Sequence, residues 1–298
     1  MPGSSRARWR RGRHAKNEEV NLRATTGSVQ VDDIIADVVS AFARAMSGEV
    51  RGFYVAGSYA DGTPVPGSDI DLVAVLRRKS DGELAQRVAE ACIARSPIRL
   101  DLVALTTEAL AEQFMLLVPA FKMGTLLVAG EDVRGEFLLP PLRAYAAAWA
   151  DRARRFMARI RRIEVEGVRP SLGYPDPAGE FFGYDRATIV EWYPPNTTQS
   201  TKELVAIVGS AATSLVALRG GAYVATKRKC APLYADHIGD EWTELVSDVH
   251  VFCRERLGYG IPEKADERRT LRAICTRVLA FERHALLAFE GGPDRPTP

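Results

Sequence analysis

Long hydrophobic runs are missing from this 298-residue sequence, and neither charge is in large excess. No stretch is long enough to span a membrane, and the basic N-terminal segment lacks the apolar run of about seven residues that a secretory signal needs. The 40 Lys and Arg residues against 38 Asp and Glu give a net charge of +2. A net charge this small produces no strong electrostatic field, so it does not indicate a membrane or nucleic acid as partner. We expect no membrane partner and a cytoplasmic location.

Cysteine and histidine are also scarce, with four of each. The cysteines have no Cys-x-x-Cys spacing, which excludes the usual zinc site and gives no disulfide framework. The histidines form no i, i+4 pair of metal ligands, and no Ser/His/Asp arrangement is identifiable. We interpret the histidines as packing or surface residues. The cysteines are Cys92, Cys230, Cys253 and Cys275, and the histidines outside the N-terminal tail are His237, His250 and His284.

Residues 57–71 carry the most informative pattern. Gly57-Ser58 ends an apolar strand and opens a turn, where backbone N–H groups can approach phosphate oxygens closely. Asp69 and Asp71 begin the next apolar run, and alternate residues of a strand share one face. Like charges held that close need a cation, and Mg²⁺, which binds carboxylates together with nucleotide phosphates, suits them. Ser68 beside them is a further candidate for nucleotide contact.

A third carboxylate, Asp101, interrupts the branched apolar run 97–105 on the same strand face as Arg99. A carboxylate in such a run needs a partner or a metal. If this strand lies beside that of Asp69 and Asp71, Asp101 can reach the same ion and the attacking hydroxyl of a substrate. The three carboxylates therefore predict metal-dependent phosphoryl or nucleotidyl transfer, with Asp101 accepting the hydroxyl proton.

Gly57-Ser58, Asp69-Ile70-Asp71 and Asp101 together resemble the signature of the DNA polymerase beta-like nucleotidyltransferase superfamily. Surface strand ends with a solvated Asp pair are the alternative interpretation. The two-part layout further resembles the aminoglycoside nucleotidyltransferases, a resemblance that is weaker in the second half. It implies an α/β (α+β) catalytic domain with a small mixed sheet, followed by an all-helical bundle. It also implies Mg²⁺ as cofactor and ATP as co-substrate.

The resemblance predicts transfer of AMP to a hydroxyl of a small polycationic acceptor, an aminoglycoside, which would make the chain an antibiotic-resistance enzyme. Two alternatives stay open. An enzyme of the same fold could modify tRNA or protein in a toxin–antitoxin pair, which the basic tail favours and the helical half disfavours. The second alternative is a non-catalytic binding protein with the same fold, and the presence of all three carboxylates, Asp69, Asp71 and Asp101, argues against it.

Periodicity divides the chain into a basic, disordered tail (1–28), a catalytic domain (29–163), a linker or substrate loop (164–200) and a helical bundle (201–290). Helical spacing predicts helices over 32–46, 81–94, 108–121, 140–163, 203–218, 233–257 and 267–289. Apolar runs predict strands over 50–56, 69–76, 97–105 and 125–130.

Candidates for binding lie in the second half. The linker concentrates aromatic and acidic residues, and Glu180, Asp185 and Trp192 could pair with and stack on a polycationic sugar, although packing of the linker is the alternative. Glu203 is a weaker candidate for a substrate amine. The resemblance implies that Lys227 contacts the nucleotide phosphates, with Arg228 and Lys229 as register alternatives and a solvated basic turn as the other interpretation.

Overall fold

A computed structural model of the chain describes residues 21–113, 116–192 and 195–291, with backbone alone for 80, 113, 189–192 and 195–197. Most of the predicted basic tail, residues 1–20, lies outside the described residues. Within the described ranges, no helix is long and apolar enough to cross a membrane.

The first half of the chain forms a mixed four-stranded sheet with the strand order β3-β2-β1-β4. Strand β1 is antiparallel to both of its neighbours, while β2 and β3 are parallel. The strands are β1 (Val50–Ala56), β2 (Ile70–Leu76), β3 (Leu100–Thr106) and β4 (Leu126–Gly130). The helices around them are α1 (Val29–Ala45), α2 (Gly57–Asp61), α3 (Gly82–Ile93), α4 (Thr107–Gln113) and α5 (Val118–Gly124).

Strand alternation sorts the side chains onto two faces of this sheet. On β2, Ile70 and Leu72 are buried in a cluster that also holds residues of α1 and α3. Val73 and Val75 pack on the opposite face, in a cluster with Phe121 of α5. Asp71 shares the face of Val73, so the alternation directs this carboxylate away from α1 and α3.

The second half is helical and has its own core. Buried apolar residues of three long helices, such as Met157, Leu215 and Val278, belong to one cluster. The helices are α6 (Leu142–Arg161), α7 (Lys202–Arg219), α8 (Lys227–His237), α9 (Thr243–Asp248), which continues into a π-helical segment (Val249–Arg256), and α10 (Ala265–Gly291). The small mixed sheet followed by a helical part confirms the predicted fold class.

Helix α6 packs into the helical core. Ala153 and Met157 of α6 are completely buried there, and Arg161 at its end forms an ion pair with Glu282 of α10. The predicted domain boundary at residue 163 thus follows a helix whose buried residues belong to the helical core, and the division into domains stays a prediction.

Three segments differ from their predicted secondary structure. The predicted helix over 108–121 is two helices, because Pro119 in the first turn of α5 begins a new helix. The predicted helix over 233–257 begins earlier, at Lys227, and is interrupted near Gly239, which has a positive φ of 61°.

The linker, expected to be irregular, ends in a hairpin of β5 (Ala187–Trp192) and β6 (Pro195–Ser200). Its β-branched Thr, Ile and Val residues favour strands.

Candidate active site

The three predicted carboxylates lie together at one end of the parallel strand pair. Asp71 of β2 and Asp101 of β3 are register partners, and Asp69 directly precedes β2. Carboxylate oxygens of the three residues lie within 4.8 Å of one another. The register of two neighbouring parallel strands thus creates an acidic cluster from residues 30 positions apart in sequence.

The electrostatics of this cluster fit a divalent cation. Burial, reinforced by the charge of Asp69, raises the pKa of Asp71 to about 6, against the opposing charge of Lys227. Arg99 offsets part of the negative charge, with Nε 3.7 Å from Asp69 and Nη2 3.2 Å from Asp101. Arg99 and Lys227 against three carboxylates still leave a negative excess, and Mg²⁺ prefers such carboxylate oxygens.

Gly57 brings the backbone against the cluster. Its φ is +64°, and a Cβ built there would lie 2.1 Å from Oδ2 of Asp71. Only glycine can hold this conformation and this distance at once. Gly57 and Ser58 begin α2, so the predicted phosphate-binding turn lies beside the acidic cluster.

A cleft of about 880 Å³ opens between the acidic cluster and the helical part. This volume is in the range of small-molecule and cofactor sites. The predicted site residues that line it are Gly57, Ser58, Asp71, Asp101, Lys227 and Glu203.

Ser68, Glu180 and Asp185 do not line the cleft. Ser68 Oγ accepts a hydrogen bond of 2.9 Å from the Val65 amide, within the loop before β2. Glu180 pairs with Arg268 of α10, and neither Glu180 nor Asp185 lines the cleft. The side chain of Trp192 lies outside the described residues.

Lys227 belongs to the helical part but acts on the acidic cluster. It is the first residue of α8, and its positive charge lowers the pKa of Asp71 against the effect of burial. The neighbouring Arg228 Nη1 lies 3.4 Å from the carbonyl oxygen of Asp61 in α2. The beginning of α8 therefore faces the Gly57–Asp61 turn across the cleft.

Arg254 is a cleft residue that sequence reasoning missed. Only 1% of it is exposed. Nη2 donates to the carbonyl oxygen and Oγ1 of Thr63, each at 3.1 Å, and Nε donates to the Tyr259 hydroxyl at 3.1 Å. Among the residues that the structure describes, Nη1 has no hydrogen-bond partner, and Arg254 lines the cleft. A buried guanidinium with an unused donor at a cleft is suited to an anionic ligand.

His250, interpreted from sequence as a packing or surface residue, also lines the cleft. Burial, reinforced by the charge of Arg254, lowers its pKa. Nothing in the local sequence singles out His250 or Arg254, because both depend on how the π-helical segment packs against the loop after α2.

One face of α6 supplies a further wall of the cleft. Trp149, Arg152, Phe156 and Arg159 follow one another at intervals of three and four residues and all line the cleft. The sequence contains this spacing. Sequence reasoning assigned α6 to the catalytic domain and did not predict that these four residues line a cleft.

Comparison with protein families decides the nature of the sheet-containing part. Residues 37–122 match the family described as the nucleotidyltransferase domain. Residues 37–122 carry a nucleotidyltransferase domain. The matched segment runs from α1 into α5 and contains Gly57-Ser58 and all three carboxylates.

The superfamily resemblance is thereby confirmed for residues 37–122. A search of curated proteins found no match. The helical part and the α6 wall lie beyond the matched residues of the nucleotidyltransferase domain, so the aminoglycoside resemblance stays a prediction.

Proposed function

We propose that the protein catalyses Mg²⁺-dependent transfer of a nucleoside monophosphate, with ATP as the expected donor, to a hydroxyl group of an acceptor. The observation that supports this most directly is the set of three carboxylates within 4.8 Å of one another, in a matched nucleotidyltransferase domain. Asp69, Asp71 and Asp101 would hold the ion, and Mg²⁺ when bound would neutralise charge on the triphosphate.

The reaction is an in-line displacement at phosphorus. The acceptor oxygen forms a bond to the α-phosphorus, and the bond from that phosphorus to the α,β-bridging oxygen breaks. Pyrophosphate leaves with the bonding electron pair. Asp101, which is 44% exposed and lines the cleft, accepts the hydroxyl proton.

Two cations from the helical part would hold the triphosphate. Lys227 lies close enough to influence Asp71, and Arg254 presents the unpartnered Nη1. Gly57 and Ser58 allow the phosphates to approach the backbone from the opposite side. The donor would therefore occupy a cleft between the sheet and the helical part.

The acceptor expected from sequence, an aminoglycoside, has limited support from the cleft. Of the acidic residues predicted to bind it, Glu203 lines the cleft, and its carboxylate already lies 3.6 Å from Arg159. Glu180 and Asp185 do not line it. The alternative of a tRNA or protein acceptor remains compatible with the same chemistry.

The test is transfer of label from α-³²P-ATP by the full chain, with Mg²⁺, to a panel of aminoglycosides and to bulk tRNA. Labelled product should form with the wild type. It should be lost in Asp69→Asn and Asp71→Asn, because each removes a charged metal ligand without changing size. A folded Asp71→Asn variant with near-normal turnover would refute the proposed site.

A further inference from the structure

The α6 wall of the cleft carries a concentration of positive charge. Helix α6 has one acidic residue, Asp151, against six arginines, which are Arg143, Arg152, Arg154, Arg155, Arg159 and Arg161. Two of them, Arg152 and Arg159, line the cleft, and Arg155 lies outside its lining. Over the whole cleft lining, seven Lys and Arg residues face four carboxylates, two of which belong to the acidic cluster.

Arg152 contacts aromatic rings rather than a carboxylate. No carboxylate of the described residues lies within ion-pair distance of it, and its guanidinium lies 5.5 Å from the Trp149 ring and 5.2 Å from the Phe156 ring. Desolvation, followed by the charges of Arg159 and Arg155, lowers its pKa. Like charges gathered in a partly desolvated wall are unfavourable without an anion.

Two neighbouring cations extend this surface. Arg159 lies 3.6 Å from Glu203, so its charge is only partly balanced. Lys202 begins α7 and also lines the cleft. Arginine forks and lysine ammonium groups both bind phosphate, and aromatic faces beside them stack on nucleobases.

We propose that the acceptor is a nucleotide, either free or at the end of a single-stranded RNA, whose phosphate is bound by Arg152 together with Arg159 and Lys202. Trp149 offers a ring face to its base, and its hydroxyl is directed toward Asp101. This proposal rests on the proposed nucleotidyl transfer. A polycationic acceptor would meet like charge on this wall.

The experiment separates acceptor binding from the donor site. The full chain is first saturated with Mg²⁺ and the non-hydrolysable α,β-methylene analogue of ATP. A 5′-mononucleotide, a single-stranded RNA of eight nucleotides, the corresponding unphosphorylated nucleoside and an aminoglycoside are then titrated separately by calorimetry. We expect the two phosphate-bearing probes to bind at least about tenfold more tightly than the nucleoside, as a charge-assisted phosphate contact requires.

Arg152→Gln should lower the affinity for the two phosphate-bearing probes by about 10- to 100-fold and leave the affinity for the ATP analogue unchanged. Arg155→Gln is the matched control, because Arg155 lies on the same helix but pairs with Asp151 outside the cleft lining. It should alter neither affinity. Tighter binding of RNA than of the mononucleotide would identify an RNA end as the acceptor, and equal affinities would identify a free nucleotide.

Equal affinity for nucleoside and nucleotide would overturn the proposal, as would tight aminoglycoside binding that Arg152→Gln leaves unchanged or strengthens. Both results would leave the proposed nucleotidyl transfer standing. Failure of the Mg²⁺-bound ATP analogue to bind would instead refute the proposed function itself.

Discussion

Single residues at the acidic cluster were the part of the site most accessible from sequence. Asp69, Asp71 and Asp101 could be predicted because strand alternation and parallel neighbours determine which side chains meet, independently of the rest of the fold. Gly57 could be located as part of the Gly57-Ser58 pair that ends the first apolar strand. Its physical role became clear only from the 2.1 Å separation between a built Cβ and the Asp71 carboxylate.

Gly57→Ala should therefore abolish metal-dependent transfer. The added methyl group would displace the Asp71 carboxylate, and the positive φ would itself cost about 1–2 kcal/mol. Gly62→Ala is the control, because Gly62 has a φ of +72° with no atom within 4 Å of a built Cβ. It should lose comparable stability and keep activity. Thermal unfolding and turnover, measured on both variants, would test this, and an active Gly57→Ala variant would contradict it.

At the scale of helices and strands, the local sequence predicted which helices and strands exist better than it predicted the residues at which they begin and end. The sheet strands and most helices appeared where apolar periodicity indicated them. The split between α4 and α5 depends on Pro119, and the interruption after α8 involves Gly239. Apolar periodicity alone predicts neither break. The assignment of α6 required knowledge of its partners, since an amphipathic helix does not encode which core it packs against.

The attachment of α6 to α10 can be tested at Arg161. Its Nη1 lies 3.3 Å from Glu282, which is completely buried and also accepts a hydrogen bond of 3.0 Å from the Tyr184 hydroxyl. Arg161→Met would leave a buried carboxylate without its counter-ion. We expect a loss of about 3–5 kcal/mol in the free energy of unfolding, measured by urea denaturation.

The double variant Arg161→Met, Glu282→Leu should recover most of that loss, because it removes both buried charges together. Arg155→Met, at an exposed ion pair of the same helix, should cost less than about 1 kcal/mol. Equal destabilisation by Arg155→Met and Arg161→Met would show that the buried pair does not attach α6 to α10.

At the scale of the whole molecule, the candidate site depends on contacts between distant parts of the chain. Arg254 and Thr63 are 191 residues apart, and no periodicity or motif connects them. Thr63 in turn donates its amide to the Ser58 carbonyl oxygen at 2.9 Å. Arg254 therefore holds the helical part against the turn that begins with Gly57 and Ser58, while its Nη1 stays available to a ligand.

Arg254→Lys preserves the positive charge but removes the fork that reaches Thr63, Tyr259 and the cleft at once. We expect the affinity for Mg²⁺-ATP to fall by about 10- to 100-fold, as measured by calorimetry. Arg256→Lys is the matched control, because Arg256 is 60% exposed, pairs with Glu267 and does not line the cleft. It should bind ATP normally. If a folded Arg254→Lys variant bound Mg²⁺-ATP as the wild type does, Arg254 would serve only to join the two parts, and triphosphate binding from the helical part would rest on Lys227.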